Sequence, residues 1–420
     1  MNITISQPYL IPLLLIMAMT ACKSEKKETQ APKAVDTPAF TPYEDDLSFM
    51  KTYTPIIELS DPSGKAKVAL APNLQGRVMT SSSSGPNGRS YGWINRELFE
   101  SQDTLEHINA FGGEERFWLG PEGGQYSLFF KEGNEFNLEN WQTPRLIDLE
   151  PFDIKSSAPN KVVFTKNAAL TNYSGFQFDL GIEREITILS PKEIQKELGI
   201  GTLGQTRAVA YKTTNTVTNT GKKDWKKDSG LVSIWLLGMF NPSPKTTIVI
   251  PYISGDEDQL GAVVNDTYFG KVPPERLVVR ENVLYFSGDG QYRSKIGLPP
   301  LRAKNIAGSY DTENGILTIL KYNKPEGISD YVNSMWEIQE QPYSGDVINS
   351  YNDGAPAPGK KPLGPFYELE TSSPALALKA GESGTHIQHT FHIEGNENSL
   401  APIIKQVFGV TIDDIKKAFN

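Results

Sequence analysis

Short runs of alternating or β-branched hydrophobic residues recur along most of the chain, separated by clusters of Gly, Pro, Asn and Asp. A period of two is typical of strands that bury one face. The segments with this pattern are 66–70, 162–166, 176–180, 183–189, 210–219, 231–237, 246–250, 283–287, 316–322, 366–371 and 385–393. Their number predicts an all-β protein.

Helical patterns are scarce by comparison. Residues 191–198 have the length of two turns. Thr411, with Asp414 three residues later, resembles a capping box and predicts a C-terminal helix ending near Lys416 and Lys417. Many strands, few short helices and no repeat period predict a large antiparallel β-sandwich with a concave sheet face for a ligand.

The N-terminal segment differs from the rest of the chain. Residues 10–19 form an apolar run that is too short to span a bilayer, and Met19-Thr20-Ala21-Cys22 follows it like a lipobox. We therefore expect residues 1–21 to be a lipoprotein signal peptide and Cys22, the only cysteine, to be the lipidation site.

The residues after Cys22 are charged, contain proline and are almost free of large apolar side chains. We interpret residues 22–42 as a flexible tether and residues 43–420 as one β domain, because no second linker interrupts them. The expected location is exported and membrane-anchored through a lipid, on the periplasmic face or the cell surface. A formal net charge of −9 argues against nucleic acid as a partner.

The stretch from residue 111 to residue 130, FGGEERFWLGPEGGQYSLFF, combines tight turns with hydrogen-bonding and aromatic side chains. Two Gly-Gly pairs allow positive φ or close backbone approach. Aromatic faces beside carboxylates and a guanidinium suit a sugar, which offers C–H faces and hydroxyls. The alternative is a pair of turns with a self-satisfied Glu–Arg cluster. The candidate substrate-binding residues here are Glu114, Glu115, Arg116, Trp118 and Glu122.

Residues 365–395 carry Leu369-Glu370-Thr371 and, further on, Ala380-Gly381-Glu382. These motifs resemble the C-terminal part of the aldose 1-epimerase (galactose mutarotase-like) superfamily. Residues 217–221, VTNTG, are similar to a strand end of those proteins, and residues 111–120 are similar to a segment of their hexose-phosphate branch. The resemblance implies a β-supersandwich fold and a carbohydrate ligand.

In that superfamily a base takes the proton of the anomeric hydroxyl and an acid protonates the ring oxygen, so that the ring opens and recloses. Glu370 matches the position of the catalytic glutamate. The central histidine of the superfamily has no counterpart, because Thr220-Gly221 follows Asn219 and the next strand lacks histidine. His107, close to the Gly-rich stretch, is the preferred second catalytic candidate, and His386 is a candidate substrate-binding residue.

His386, His389 and His392 recur every third residue of one predicted strand. With a period of two, His386 and His392 share a face and His389 points to the other. Such a split does not favour a metal site, and we expect neither metal nor cofactor.

Two further polar segments contain candidate residues. Arg293 and Lys295 follow a Gly-Asp-Gly turn, and a solvated sheet edge is the simpler interpretation. If Lys295 and Arg116 instead converge on the pocket, the carbohydrate is acidic. Residues 345–354 have the composition of a loop over a site.

Together these patterns predict an exported, lipid-anchored carbohydrate-binding protein that resembles aldose 1-epimerases and acts at a sugar anomeric centre. Two alternatives stay open. One is a non-catalytic surface glycan-binding lipoprotein, and the other is a polysaccharide-cleaving enzyme on the same fold.

Overall fold

Antiparallel strands make up most of the protein, which we describe from a computed structural model covering residues 40–420. The predicted signal peptide, Cys22 and all but residues 40–42 of the tether lie outside the described residues. The strands are β1 (Ile57–Ser60), β2 (Lys67–Ala71), β3 (Arg77–Ser82), β4 (Arg116–Gly120), β5 (Asp153–Ala158), β6 (Lys161–Thr171), β7 (Gln177–Ile188), β8 (Arg207–Asn219), β9 (Ser233–Phe240), β10 (Thr246–Pro251), β11 (Leu277–Arg280), β12 (Val283–Ser287), β13 (Ser294–Leu298), β14 (Ile306–Asp311), β15 (Ile316–Tyr322), β16 (Ile348–Asn352), β17 (Tyr367–Ser372) and β18 (Ser383–Glu394).

These strands form three sheets. The largest has ten strands in the order β11-β12-β10-β14-β15-β18-β8-β7-β6-β5, the second has five in the order β13-β16-β17-β9-β4, and the smallest has the order β1-β2-β3. The strand pairs within all three sheets are antiparallel. The expectation of an all-β antiparallel sandwich is confirmed.

Short helices flank the sheets, as expected. They are α1 (Tyr43–Tyr53), α2 (Arg96–Ser101), α3 (Arg145–Asp148), α4 (Pro191–Leu198), α5 (Glu257–Leu260), α6 (Glu397–Phe408) and α7 (Ile412–Lys416). Capping boxes at Ser190 and Thr411 start α4 and α7, because each hydroxyl accepts a backbone N–H that would otherwise have no partner. Among helices in residues 40–420, none has the length and apolar character needed to cross a membrane.

One face of the five-stranded sheet packs on the ten-stranded sheet. Phe240, Ile348 and Leu369 of the smaller sheet share an apolar cluster with Ile248 and Leu320 of the larger one. Because neighbouring residues of a strand point to opposite faces, the residues that alternate with these point away from the core. The outer face of the five-stranded sheet is therefore free to form a site.

The observed strands differ from the predicted ones in two informative places. The segments 176–180 and 183–189 are parts of one strand, β7, which continues through Gly181. The expectation of a polar loop at 345–354 is wrong in its centre, because Ile348–Asn352 forms β16 between β13 and β17.

The Gly112-Gly113 pair leads the chain into β4. Both residues have positive φ, as expected for this pair. A Cβ on Gly112 would lie 2.0 Å from the carbonyl oxygen of Trp93. Glycine is required here by conformation and by space, so the direction in which β4 starts depends on it.

We predict that Gly112→Ala destabilises the protein more than Gly133→Ala does. Both glycines have positive φ, but nothing lies within 4 Å of a Cβ built on Gly133. Gly133→Ala should therefore cost about 1–2 kcal/mol for backbone conformation alone. Gly112→Ala should cost several kcal/mol in chemical unfolding, because it adds a steric clash. Equal losses would show that the approach to Trp93 is not constraining.

Candidate functional site

A cavity of about 640 Å³ lies over the outer face of the five-stranded sheet. Every strand of that sheet contributes a side chain to its wall. The contributors are Arg116 and Trp118 from β4, Trp235, Leu237 and Met239 from β9, Glu368 from β17, Tyr351 from β16 and Lys295 from β13. Alternation along each strand places these side chains on one surface.

Aromatic rings form much of this wall. The rings of Trp118 and Trp235 meet edge to face at 5.5 Å, and the rings of Trp141 and Trp336 stack at 5.9 Å. Phe269, at the mouth, is 44% exposed and carries the Arg293 guanidinium 3.8 Å from its ring centroid. The cavity thus offers several flat apolar faces with charged groups between them.

Lys295 is the central cation of the site. Its Nζ donates to Oε2 of Glu370 at 3.1 Å, and the indole N–H of Trp235 donates to the same oxygen at 2.9 Å. Burial lowers the pKa of Lys295, but the carboxylates of Glu370, Glu122 and Glu368 outweigh it and raise the pKa overall. Lys295 is therefore a permanent positive charge on the cavity wall.

Glu370, the predicted catalytic base, lies beneath this wall. It is 1% exposed and is covered by Lys295 and Trp235, which themselves line the cavity. Its Oε1 is buried and has no hydrogen-bond partner among the described residues. In this position the Glu370 carboxylate is paired with Lys295. Glu370 can contact a ligand only if Lys295 moves.

Glu368, two residues earlier on β17, lines the cavity directly. It forms a buried ion pair with Arg116, whose guanidinium also lies 5.0 Å from the ring centroid of Trp118. Burial raises the pKa of Glu368 to about 7, because it outweighs the attraction of Arg116 and adds to the repulsion from Glu370. Glu368 therefore exchanges a proton near neutral pH.

Glu122 is a second carboxyl with a raised pKa. Burial raises that pKa, Lys295 opposes the shift and Glu370 adds to it. The backbone N–H of Glu122 donates to Ser334 Oγ at 3.1 Å, which fixes the turn after β4. Two carboxyls with raised pKa values, Glu122 and Glu368, thus border the same cavity.

His107 lies on the rim of the cavity, as its position before the Gly-rich stretch predicts. Its Nδ1 is 2.6 Å from the carbonyl oxygen of Trp141. A carbonyl only accepts, so Nδ1 carries the hydrogen and Nε2 of the neutral ring is the acceptor.

A second cavity of about 370 Å³ adjoins the first and shares part of its wall, including Glu122, Trp235, Lys295 and Trp336. We name the larger cavity the Trp118 lobe and the smaller one the Asp346 lobe. In the Asp346 lobe, the Tyr268 hydroxyl donates to Asp346 at 2.6 Å. Burial raises the pKa of Asp346 to about 6.

Besides Glu370, three predicted site residues do not line either cavity. Glu114 accepts from Ser81 of β3 and contacts His392 at 3.1 Å. Glu115 pairs with Arg184 of β7 at 2.9 Å, and both side chains are fully buried. These two carboxylates precede β4 and point into the space between the smallest and largest sheets. They hold sheets together there, away from the cavity.

His386 is the third. Its Nε2 lies 2.8 Å from Thr371 Oγ1, and Thr371 faces the ten-stranded sheet because it follows Glu370 by one residue. Burial lowers the pKa of His386 to about 3, so the ring is neutral. The alternation expected for the histidines is observed, since His386 and His392 are buried and His389 is partly exposed.

Other cavity residues were not predicted from the sequence. They include Trp141, Trp336, Tyr268, Asp346 and Glu368. Glu368 had a usable signal, because two residues before Glu370 on a strand means the same face. The others come from loops, whose position depends on long-range packing. Within residues 40–420, no cluster of three or more His, Cys, Asp or Glu side chains has a metal-binding arrangement.

Solved structures similar to this chain include proteins with sugar-related descriptions, at low identity. A galactose mutarotase-like protein from Lactobacillus casei ATCC 334 is 13% identical, with a TM-score of 0.46, and the match covers 81% of this chain and 99% of that one. A galactose mutarotase related enzyme from Lactobacillus acidophilus is 8% identical, with a TM-score of 0.43 and coverages of 81% and 97%.

The Slr1438 protein from Synechocystis sp. PCC 6803 is 13% identical, with a TM-score of 0.45, and the match covers 82% of this chain and 96% of that one. No curated protein sequence matches the chain. The model of the family described as a family of unknown function, DUF6786, matches residues 41–419. The chain belongs to this family of unknown function, DUF6786.

Proposed function

We propose that the protein binds carbohydrate in the cavity over the five-stranded sheet. The observation that carries this proposal is the combination, on one wall, of indole rings with the Arg116–Glu368 and Lys295–Glu370 pairs. Sugars need flat apolar surfaces for their C–H faces and charged or polar groups for their hydroxyls. The cavity volume lies within the range of about 300–1,000 Å³ that is typical of small-molecule sites.

An acidic sugar is compatible with this wall but is not required by it. Arg116, Arg293 and Lys295 border the same cavity. Convergence of Arg116 and Lys295 on the pocket is the arrangement for which the sequence leads us to expect an acidic ligand. Arg116 and Lys295 are, however, already paired with carboxylates. A neutral sugar whose hydroxyls bridge these pairs fits equally well.

The location that we propose is a membrane surface outside the cytoplasm, through acylation of Cys22. The support is the lipobox-like Met19-Thr20-Ala21-Cys22 and the charged, Pro-containing sequence that follows it. A tether of this kind would hold the folded domain near the membrane.

A second candidate function is isomerisation at the anomeric carbon, which the two raised pKa values favour. Neutral Glu368 would give a proton to the ring oxygen while ionised Glu122 accepts the proton of the anomeric hydroxyl. The bond between the ring oxygen and the anomeric carbon breaks, and the open aldehyde rotates and recloses with the proton transfers reversed. Two carboxyls with separate roles are a common arrangement for such chemistry.

Sugar binding should weaken when an aromatic side chain of the cavity wall is truncated. We predict that Trp336→Ala lowers affinity about tenfold, because a stacking ring at a site commonly contributes more than 1 kcal/mol. Trp118→Phe should cause a smaller loss of affinity, because it keeps an aromatic ring and removes only an indole N–H that has no partner among the described residues. Titration calorimetry with mono- and disaccharides measures both effects. Phe176→Ala, which truncates a half-buried ring outside the cavity, is the control. Affinities unchanged in both cavity variants would refute the site.

Anomer exchange, followed by NMR, tests the second candidate. We predict that Glu368→Gln slows exchange by about 10²- to 10⁴-fold, as loss of an acid–base group typically does. The native rate should fall as pH rises through about 7, because the acid form of Glu368 is lost there. Glu281→Gln, on an exposed turn, is the control. If Glu370→Gln abolishes exchange and Glu368→Gln does not, the base predicted from the sequence acts instead. If the native protein shows no anomer exchange, the second candidate is refuted and carbohydrate binding alone remains as the proposed function.

Cys22→Ser should move the protein from the membrane fraction to the soluble fraction without changing its unfolding midpoint. The substitution removes the sulfur that would be acylated, while the described domain begins about twenty residues later. Fractionation with detection by antibody measures the shift. Unchanged membrane retention would show that Cys22 is not the anchor.

A further inference from the structure

The site has two lobes, and each has a recognition surface of its own. In the Trp118 lobe, ring faces lie beside the Arg116–Glu368 pair. In the Asp346 lobe, Asn349 donates to the Tyr268 hydroxyl at 3.3 Å, and that hydroxyl donates to Asp346. At about 640 and 370 Å³, each lobe has the size of a site for one small molecule.

The wall that the lobes share carries charged side chains of both signs. Lys295, Glu122 and Trp235 belong to both lobes, and Glu370 lies directly beneath Lys295 and Trp235. A ligand confined to one lobe would leave this junction at its edge. A ligand that passes from one lobe to the other would place its middle against it.

Unpartnered buried polar atoms occur on both sides of the junction. Ser233, 1% exposed, lines the Asp346 lobe, and its Oγ has no partner among the described residues. Trp118, 4% exposed, lines the other lobe with an unpartnered indole N–H. Buried polar groups are normally hydrogen-bonded, so both atoms indicate ligand oxygens, one in each lobe.

We propose that the site binds at least two linked sugar units, one in each lobe, with the glycosidic bond between them lying over Lys295 and Glu122. This inference rests on the proposed carbohydrate binding and extends it from sugars in general to oligosaccharides. A single free hexose occupies one lobe and leaves the polar atom of the other without a partner.

The experiment is titration calorimetry of the full chain with defined probes. They are glucose, galactose, mannose and glucuronic acid, and the α- and β-linked disaccharides and tetrasaccharides of glucose, galactose and mannose. The proposal predicts at least one disaccharide that binds about tenfold or more tightly than the monosaccharide of which it is built. A second occupied subsite produces this gain because binding of the first unit has already removed most of the translational and rotational freedom of the ligand.

Two variants locate the units. Trp118 lines the Trp118 lobe and not the Asp346 lobe, whereas Asn349 lines the Asp346 lobe and not the Trp118 lobe, so Trp118→Phe and Asn349→Ala each change the lining of one lobe. Both should weaken binding of the disaccharide, whereas only one of them should weaken binding of its monosaccharide. Circular dichroism confirms that the variants are folded.

The outcomes separate this inference from the proposed function. A monosaccharide that binds as tightly as its own disaccharide and tetrasaccharide would overturn the two-lobe inference and leave carbohydrate binding in place. Disaccharide binding affected by one variant only would overturn it as well. If no probe binds, the proposed function falls, and the inference falls with it.

Discussion

Alternation along β17 is the constraint on which the site depends. Leu369 packs in the core and Thr371 bonds to His386, whereas Glu368 and Glu370 point to the opposite face. Both carboxylates are buried, so each needs a cation. Removing one partner of a buried ion pair typically costs about 3–5 kcal/mol, because the other charge is left without compensation. The strand that closes the core therefore also fixes Arg116 and Lys295 in the cavity wall.

The two cations come from opposite edges of the five-stranded sheet. Arg116 belongs to β4 at one edge and Lys295 to β13 at the other, while β17 lies between them. Their carboxylate partners are only two residues apart, so the ion pairs draw both edges toward one central strand. This arrangement accounts for the pKa shifts as well. Burial and repulsion from Glu370 raise the pKa of Glu368, and three surrounding carboxylates raise the pKa of Lys295.

The fold was more predictable from the sequence than the site was. Apolar alternation gives β12 and β15 with their observed bounds, and α4 has its predicted length. The local sequence pattern does not predict the structure of segments whose conformation depends on tertiary contacts. INSYN in β16 has the composition of a loop, yet it is a strand because neighbours on both sides supply its hydrogen bonds. α6 is not among the predicted helices, and it contains Pro402, a residue type that ordinarily argues against a helix.

The same distinction applies to the candidate residues. Arg116, Trp118, Glu122, Lys295 and His107 border the cavity, whereas Glu114, Glu115 and His386 stabilise contacts between sheets. Residue type did not separate these groups, since Glu114, Glu115 and Arg116 are consecutive in the chain. The separation comes from Gly112 and Gly113, whose positive φ turns the chain so that two carboxylates enter the interior before β4 begins.

A crystal structure of the protein soaked with a disaccharide that it binds would test the central claim most directly. The account predicts density for sugar rings over the outer face of the five-stranded sheet, against Trp235 and Trp336, with oxygens within hydrogen-bond distance of Lys295 or Glu368. Sugar density at any other surface, with this cavity holding only solvent, would contradict it.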